Sequence, residues 1–325
     1  MSTEAWADRG TVLRRVRLRD SDRQARVVAD GFSQTGYTLE IDGIEQSHVD
    51  LADPTVIRHE YLARIVALIE ASVGDAAAEE ASARPLSVLH LGAGALTLAR
   101  YLQVRHPGTE QVTVDVEREL MSFVVGALPL PSGTRLTPVV ADARAFLESA
   151  AAATAAGRAD GAGPIEGTTG RDDDAGWRAD GAAGPFDVVV LDVFSGEETP
   201  SHLTGSAVYA ACLDVLTPGG VLAVNVGDDA GLRFFATQAA ALEKASADAG
   251  LSGPWTLAAA STVDRLEEGN LVLAAGGGLG MDGPQELREH LQAAGPHPAA
   301  VLDPYETARL VERITRPVGA TPGRW

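Results

Sequence analysis

Lysine is nearly absent from this chain: Lys244 stands alone among 26 lysines and arginines. Cysteine is equally scarce. Cys212 is the only one among 325 residues, which excludes an intrachain disulfide. No run approaches the ~18–20 consecutive apolar residues of a membrane-spanning helix. The opening stretch MSTEAWADRGTVLRRVRLRDSDR is charged and has no apolar signal-peptide core, so the expected compartment is the cytoplasm and no membrane association is expected. Several catalytic signatures are missing too. There is no Gly-Lys-Ser/Thr to grip a phosphate chain. Ser195, Ser201 and Ser206 do not sit in a Gly-x-Ser-x-Gly elbow. The seven histidines are scattered and form no His/Cys spacing of a zinc site, so no metal is expected.

Acidity is abundant. The formal net charge is −19 and the isoelectric point about 4.7. Such a field repels nucleic acid and favours small cationic ligands, although acidity also serves solubility. With 45% hydrophobic residues, the chain can build one large domain with an appendage, or two domains.

The order of segments predicts the layout. Residues 1–23 are charged and predict a mobile arm. Residues 24–52 predict a small β-strand module: Tyr37, Leu39 and Ile41 alternate with polar residues, and Asp42-Gly43 is a two-residue hairpin turn. Asp53-Pro54 predicts the start of a helix carrying the stripe Ile57, Tyr61, Ile65, Leu68 and Ile69. From Leu86 onward strands and helices alternate. The early strands are continuous apolar runs, as in a parallel sheet covered on both faces. WTLAAAS and NLVLAAG close the sheet as a reversed pair. Residues 53–275 therefore predict a doubly wound α/β domain that binds ligands at the carboxyl ends of its strands. Within it, 150–184 is rich in Ala, Gly, Asp and Thr and predicts a flexible insertion. Residues 276–325 predict a helical extension.

The chemistry gathers at those strand ends. Gly92-Ala93-Gly94 links the first strand of the alternating region to a helix, allowing close backbone approach and presenting helix N–H groups. Thr97 occupies the place of the third glycine in Gly-x-Gly-x-x-Gly. Asp115 ends the next strand, about twenty residues on, where a carboxylate accepts from ribose hydroxyls. Asp142 ends the third strand, where a carboxylate meets an adenine amino group. Asp192 ends the fourth and faces the substrate crevice. His90, inside the first buried strand, reads as a core residue.

With these pieces the chain resembles the spermidine synthase (polyamine aminopropyltransferase) family. The resemblance is to its divergent bacterial spermidine synthase-like branch and runs from about Tyr37 to Leu273. It implies an α/β, Rossmann-like methyltransferase fold with an N-terminal hairpin module that serves as a homodimer surface. Leu39-Glu40-Ile41-Asp42-Gly43-Ile44-Glu45-Gln46 stands where the family has Leu-x-Leu-Asp-Gly-x-x-Gln, so Gln46 inherits a nucleoside contact. Asp115 falls on the ribose-binding acid, Asp142 on the adenine aspartate and Asp192 on the base that deprotonates the attacking amine. Pro218-Gly219-Gly220 matches the turn before the fifth strand.

Three positions depart from the family pattern. Ala95 replaces the acid that contacts the aminopropyl amine, Ser195 replaces the second aspartate of the Asp-Ser-Ser-Asp segment, and Arg58 replaces the tyrosine before His59-Glu60. A cation at position 58 is expected to weaken a diammonium substrate. Glu60, Tyr61 and Ser195 are then the candidate amine contacts, with Glu197 and Glu198 as further acids. The implied cosubstrate is decarboxylated S-adenosylmethionine, with putrescine as acceptor. Two alternatives stay open: methyl transfer from intact S-adenosylmethionine, and a nucleoside-binding homologue without turnover.

Overall fold

The computed structural model describes residues 10–73, 84–160, 184–193, 199–279 and 283–316. An antiparallel sheet of four strands comes first: β1 (Val12–Arg17), β2 (Gln24–Ala29), β3 (Gly36–Ile41) and β4 (Ile44–Asp50), side by side in that order. Asp42 and Gly43 both adopt positive φ (52° and 84°), the geometry of a type I′ hairpin turn. β1 corrects the expected arm at 1–23. Val12–Arg17 pairs with β2 along an edge whose residues are mostly exposed, so apolar alternation was not there to mark it. Residues 1–9 lie outside the described residues.

The larger sheet has eight strands in the order β12-β10-β11-β9-β8-β5-β6-β7. These are β5 (Ser87–Leu91), β6 (Glu110–Asp115), β7 (Arg135–Val140), β8 (Phe186–Leu191), β9 (Leu216–Asp228), β10 (Trp255–Ala259), β11 (Gly269–Ala275) and β12 (Ala299–Leu302). The pairings among β5–β9 are parallel, while β11 runs antiparallel between β9 and β10. This is the doubly wound, Rossmann-like arrangement. The reversed pair lies inside the sheet, because β12 covers β10 antiparallel at the edge. The C-terminal extension thus supplies a strand as well as helices.

Alternate residues of each strand feed two cores, following the two-residue repeat of the pleat. Val88, Val190 and Ala223 pack under α1 (Glu60–Val73), α2 (Thr97–Arg105) and α8 (Pro284–Ala294). Leu89, Leu191 and Val224 pack on the other face with α4 (Ala143–Asp160), α5 (Ser206–Asp214), α6 (Arg233–Asp248) and α9 (Pro304–Thr315). A third cluster joins Val27, Leu39 and Val49 of the small sheet to Ala95, Leu96 and Ala99 of α2 and its turn, and to Val124 of α3 (Leu120–Ala127). The short α7 (Ala260–Arg265) follows β10. Cys212 is fully buried, and burial pushes its thiol up to about 12. None of the helices among the described residues is long and apolar enough to cross a membrane.

Two sequence expectations shift. The first helix begins at Glu60, not at Asp53-Pro54. Asp53 instead accepts the Thr55 N–H at 3.0 Å and the Thr55 hydroxyl at 2.5 Å, a local turn that competes with the helix. Of the expected insertion at 150–184, residues 150–160 belong to α4; 161–183 lie outside the described residues.

Candidate active site

β4 lies across the glycine turn. The Ala95 N–H donates to Ser47 Oγ at 3.1 Å, and the Thr97 hydroxyl donates to the His48 carbonyl at 2.9 Å. A Cβ on Gly94 (φ 47°) would fall 2.5 Å from Ser47 Oγ, and one on Gly92 (φ 102°) 2.1 Å from the Asp192 carbonyl oxygen. Gly92 is therefore required by close approach to backbone as well as by its angle, while at Gly94 the neighbour is a side-chain oxygen that can turn aside. Behind the turn, the buried Arg100 guanidinium donates to the carbonyls of Ala95, Leu128 and Pro129 at 3.1, 2.6 and 2.7 Å. Burial lowers it to about 10. It ties the glycine turn before α2 to the loop after α3.

Asp115, at the end of β6, accepts the Ala93 N–H at 3.0 Å and the Glu117 N–H at 2.8 Å. Burial raises its carboxyl above the usual range, with those two N–H groups pulling the other way. Each carboxylate oxygen keeps a lone pair for a further donor, as two ribose hydroxyls provide. Asp142 caps α4, accepting the Ala145 N–H at 3.0 Å. Its other oxygen meets His202 Nε2 at 2.6 Å. Burial works to raise the Asp142 carboxyl, but the N–H donors and His202 outweigh it and hold it below its ordinary value. His202 carried no sequence signal and comes from the segment after β8.

Asp192 sits at the end of β8, partly buried. Tyr61 of α1 donates its hydroxyl to Oδ2 at 3.0 Å, and Asn225 of β9 donates Nδ2 to Oδ1 at 2.9 Å. Burial raises the Asp192 carboxyl, while the Asn225 and Tyr61 bonds and the nearby His59 limit the rise. Burial, with the Asp192 charge beside it, pushes the Tyr61 hydroxyl well above its ordinary value, so it stays a donor. His59 packs edge-on against the Tyr61 ring at 5.9 Å, with Nε2 3.5 Å from Glu45. Burial lowers His59 below its ordinary value, with the Glu45 and Asp192 charges pulling the other way. The group can thus hold a carboxylate ready to take a proton.

Other candidates lie elsewhere. The Gln46 amide folds back on the Ile44 carbonyl at 3.3 Å, beside a bulge in β4. Glu60 is exposed and accepts from the buried Arg64 at 3.1 Å, outside the Asp192 cluster. Ser195, Glu197 and Glu198 lie outside the described residues. Arg58 pairs with the buried Asp30 at 3.1 Å and stacks over Phe32 at 4.5 Å, both in the segment after β2. His90 is a core residue as expected, bonded to Gln111 at 2.9 Å and lowered by burial to about 4. Asn225 was missed, although one asparagine in the apolar run VLAVNVG was a signal, since a buried polar residue is the informative exception. Asp20, Glu117 and Glu119 lie close enough to share a cation, but Arg19 pairs with Glu119 at 3.4 Å.

The Tyr61 hydroxyl stabilises the charged form of Asp192, so Tyr61→Phe is expected to raise that carboxyl further. The acid limb of the kcat/KM profile then moves to higher pH, by about one unit for a charged hydrogen bond of about 1.5 kcal/mol. A pH titration of both proteins checks this; an unmoved limb contradicts the contact's role.

The chain matches no family model and no curated protein. Among solved structures it is similar to a probable spermidine synthase from Corynebacterium glutamicum. That likeness covers 97% of this chain and 99% of that one, at 21% identity and a TM-score of 0.69. The chain has that protein's fold. A weaker likeness joins it to human methyltransferase-like protein 13, at 17% identity over 81% of this chain and 95% of that one, with a TM-score of 0.45.

Proposed function

We propose that this chain transfers a group from an adenosyl sulfonium to an amine, as an aminopropyltransferase of spermidine synthase type. The observation that carries the reading is the Asp192 carboxylate, held by Tyr61 and Asn225 on a residue whose backbone carbonyl packs against Gly92. The turn and Asp115 would hold the nucleoside, with Asp142 at the base. The cosubstrate is decarboxylated S-adenosylmethionine. An ammonium has no lone pair, so Asp192 first takes one of its protons. The freed amine attacks the carbon beside the sulfonium. A C–N bond forms, the C–S bond breaks, and its electron pair returns to sulfur as neutral methylthioadenosine. Burial of Asp192 suits a base that must take a proton at neutral pH. The acidic chain favours a cationic acceptor such as putrescine, and the Arg58–Asp30 pair offsets part of the cation at position 58.

One observation favours a second reading, methyl transfer from intact S-adenosylmethionine. Ala95 is fully buried in the apolar cluster between the two sheets, and it offers no acid to an aminopropyl ammonium. Incubation with putrescine and each cosubstrate separates the two. Spermidine with methylthioadenosine supports aminopropyl transfer. A methylated amine with S-adenosylhomocysteine supports the second reading and removes the first.

A further inference from the structure

Arg58 stands two residues ahead of α1, the helix whose Tyr61 donates to Asp192, and its neighbour His59 packs on the Tyr61 ring. Its guanidinium lies over the Phe32 ring at 4.5 Å, and Nη1 donates to Asp30 Oδ2 at 3.1 Å. The two halves of this ion pair differ. The Arg58 side chain is 38% exposed, whereas that of Asp30 is 4% exposed. Asp30 is also fully engaged. Oδ1 accepts the Phe32 and Ser33 N–H groups at 2.8 and 3.0 Å, and Oδ2 meets His48 Nε2 at 2.9 Å. A Cβ on Gly36 would fall 2.1 Å from Oδ2, so the carboxylate lies against bare backbone with no room to swing away. Burial works to raise the Asp30 carboxyl, but the Ser33 and Phe32 N–H groups and His48 outweigh it and hold it down to about 2. Its charge is therefore permanent near neutral pH and fixed in place. Exposed ion pairs hold their partners loosely, but here the acid is locked and the cation is drawn to it.

We propose that Asp30 is a positioning residue that sets the charge the acceptor site tolerates: it pins and offsets the Arg58 cation, so that a doubly charged amine can bind beside Asp192. This rests on the transferase reading above and adds to it a residue remote in sequence from the site. Without Asp30 the guanidinium is an uncompensated positive charge at the start of α1. Its repulsion grows with the charge of the ligand, so a dication loses most, a monocation less, and a neutral nucleoside nothing. A purely structural role for Asp30, bracing the β2–β3 segment, makes no such distinction. The two roles also respond differently to loss of Arg58. Removing the cation restores the charge balance of an Asp30→Asn protein, but it does not restore the bonds to His48, Phe32 and Ser33.

The test titrates wild type, Asp30→Asn, Arg58→Gln and the double variant, each saturated with methylthioadenosine, with 1,4-diaminobutane and with 1-aminobutane. Asp30→Asn is expected to lose about 5- to 20-fold in diamine affinity and less for the monoamine, with methylthioadenosine affinity unchanged. Arg58→Gln leaves the acid uncompensated and is expected to bind the diamine more tightly than wild type. That gain stands as a test even where Asp30→Asn fails to fold. The double variant is expected to return to within about 3-fold of wild type. Unchanged diamine affinity in Asp30→Asn, equal loss of both amines, a loss the double variant does not restore, or weaker diamine binding in Arg58→Gln overturns the proposal. A wild type that binds methylthioadenosine but no diamine overturns it together with the acceptor, because the offset charge then has no cation to face. A wild type that fails to bind methylthioadenosine overturns the underlying transferase reading instead.

Discussion

Asp192→Asn is expected to lower turnover about 10²- to 10⁴-fold, the usual share of a positioned base. An asparagine keeps the size of the side chain and keeps one oxygen for Tyr61 or Asn225, but it has no site for the ammonium proton. The amine then stays protonated and cannot attack. Nucleoside affinity is expected to be nearly unchanged, because the ribose and base candidates, Asp115 and Asp142, lie on other strands and share no hydrogen bond with Asp192 among the described residues. Single-turnover rates and calorimetric titration with methylthioadenosine separate the two effects. Turnover within about tenfold of wild type would remove Asp192 from the base role.

Gly92→Ala should damage binding and turnover together. Its φ of 102° is a conformation that L side chains rarely adopt, and the new Cβ would lie 2.1 Å from the Asp192 carbonyl oxygen. The backbone on one side or the other has to move. Such strain costs about 1–3 kcal/mol, and the displacement carries the base away from the nucleoside turn. Gly31→Ala is the control. Gly31 also has positive φ, 73°, but open space surrounds it. Its stability loss is expected to be smaller, with no effect on nucleoside affinity. Thermal melts and titration of both variants check this, and equal behaviour of the two would deny the tight approach of turn and base.

The strand ends were readable because each acid closes a short Val/Leu-rich segment within an alternating strand–helix order. Asp115 and Asp192 stand where β6 and β8 leave the sheet, and the sheet order brings both to the glycine turn. What escaped was of two kinds. β1 escaped because an exposed edge strand needs no apolar alternation, and β12 because four residues are too few to show a period. Ser47, His202 and the Asp30 partner of Arg58 escaped because pairing across distant segments depends on tertiary contact, which leaves no local pattern. Arg58 is the clearest instance. In sequence it is a cation beside the amine candidates Glu60 and Tyr61, and in space it pairs with Asp30, 28 residues earlier.

The central claim is that the glycine turn and its neighbouring carboxylates hold an adenosyl sulfonium. Calorimetric titration of the purified protein with decarboxylated S-adenosylmethionine, S-adenosylmethionine and methylthioadenosine tests it most directly. Saturable one-to-one binding of methylthioadenosine and of decarboxylated S-adenosylmethionine is expected, weakened by Asp115→Ala by about 10-fold or more, as loss of a charged hydrogen-bond acceptor implies. Absence of binding by all three nucleosides would contradict it.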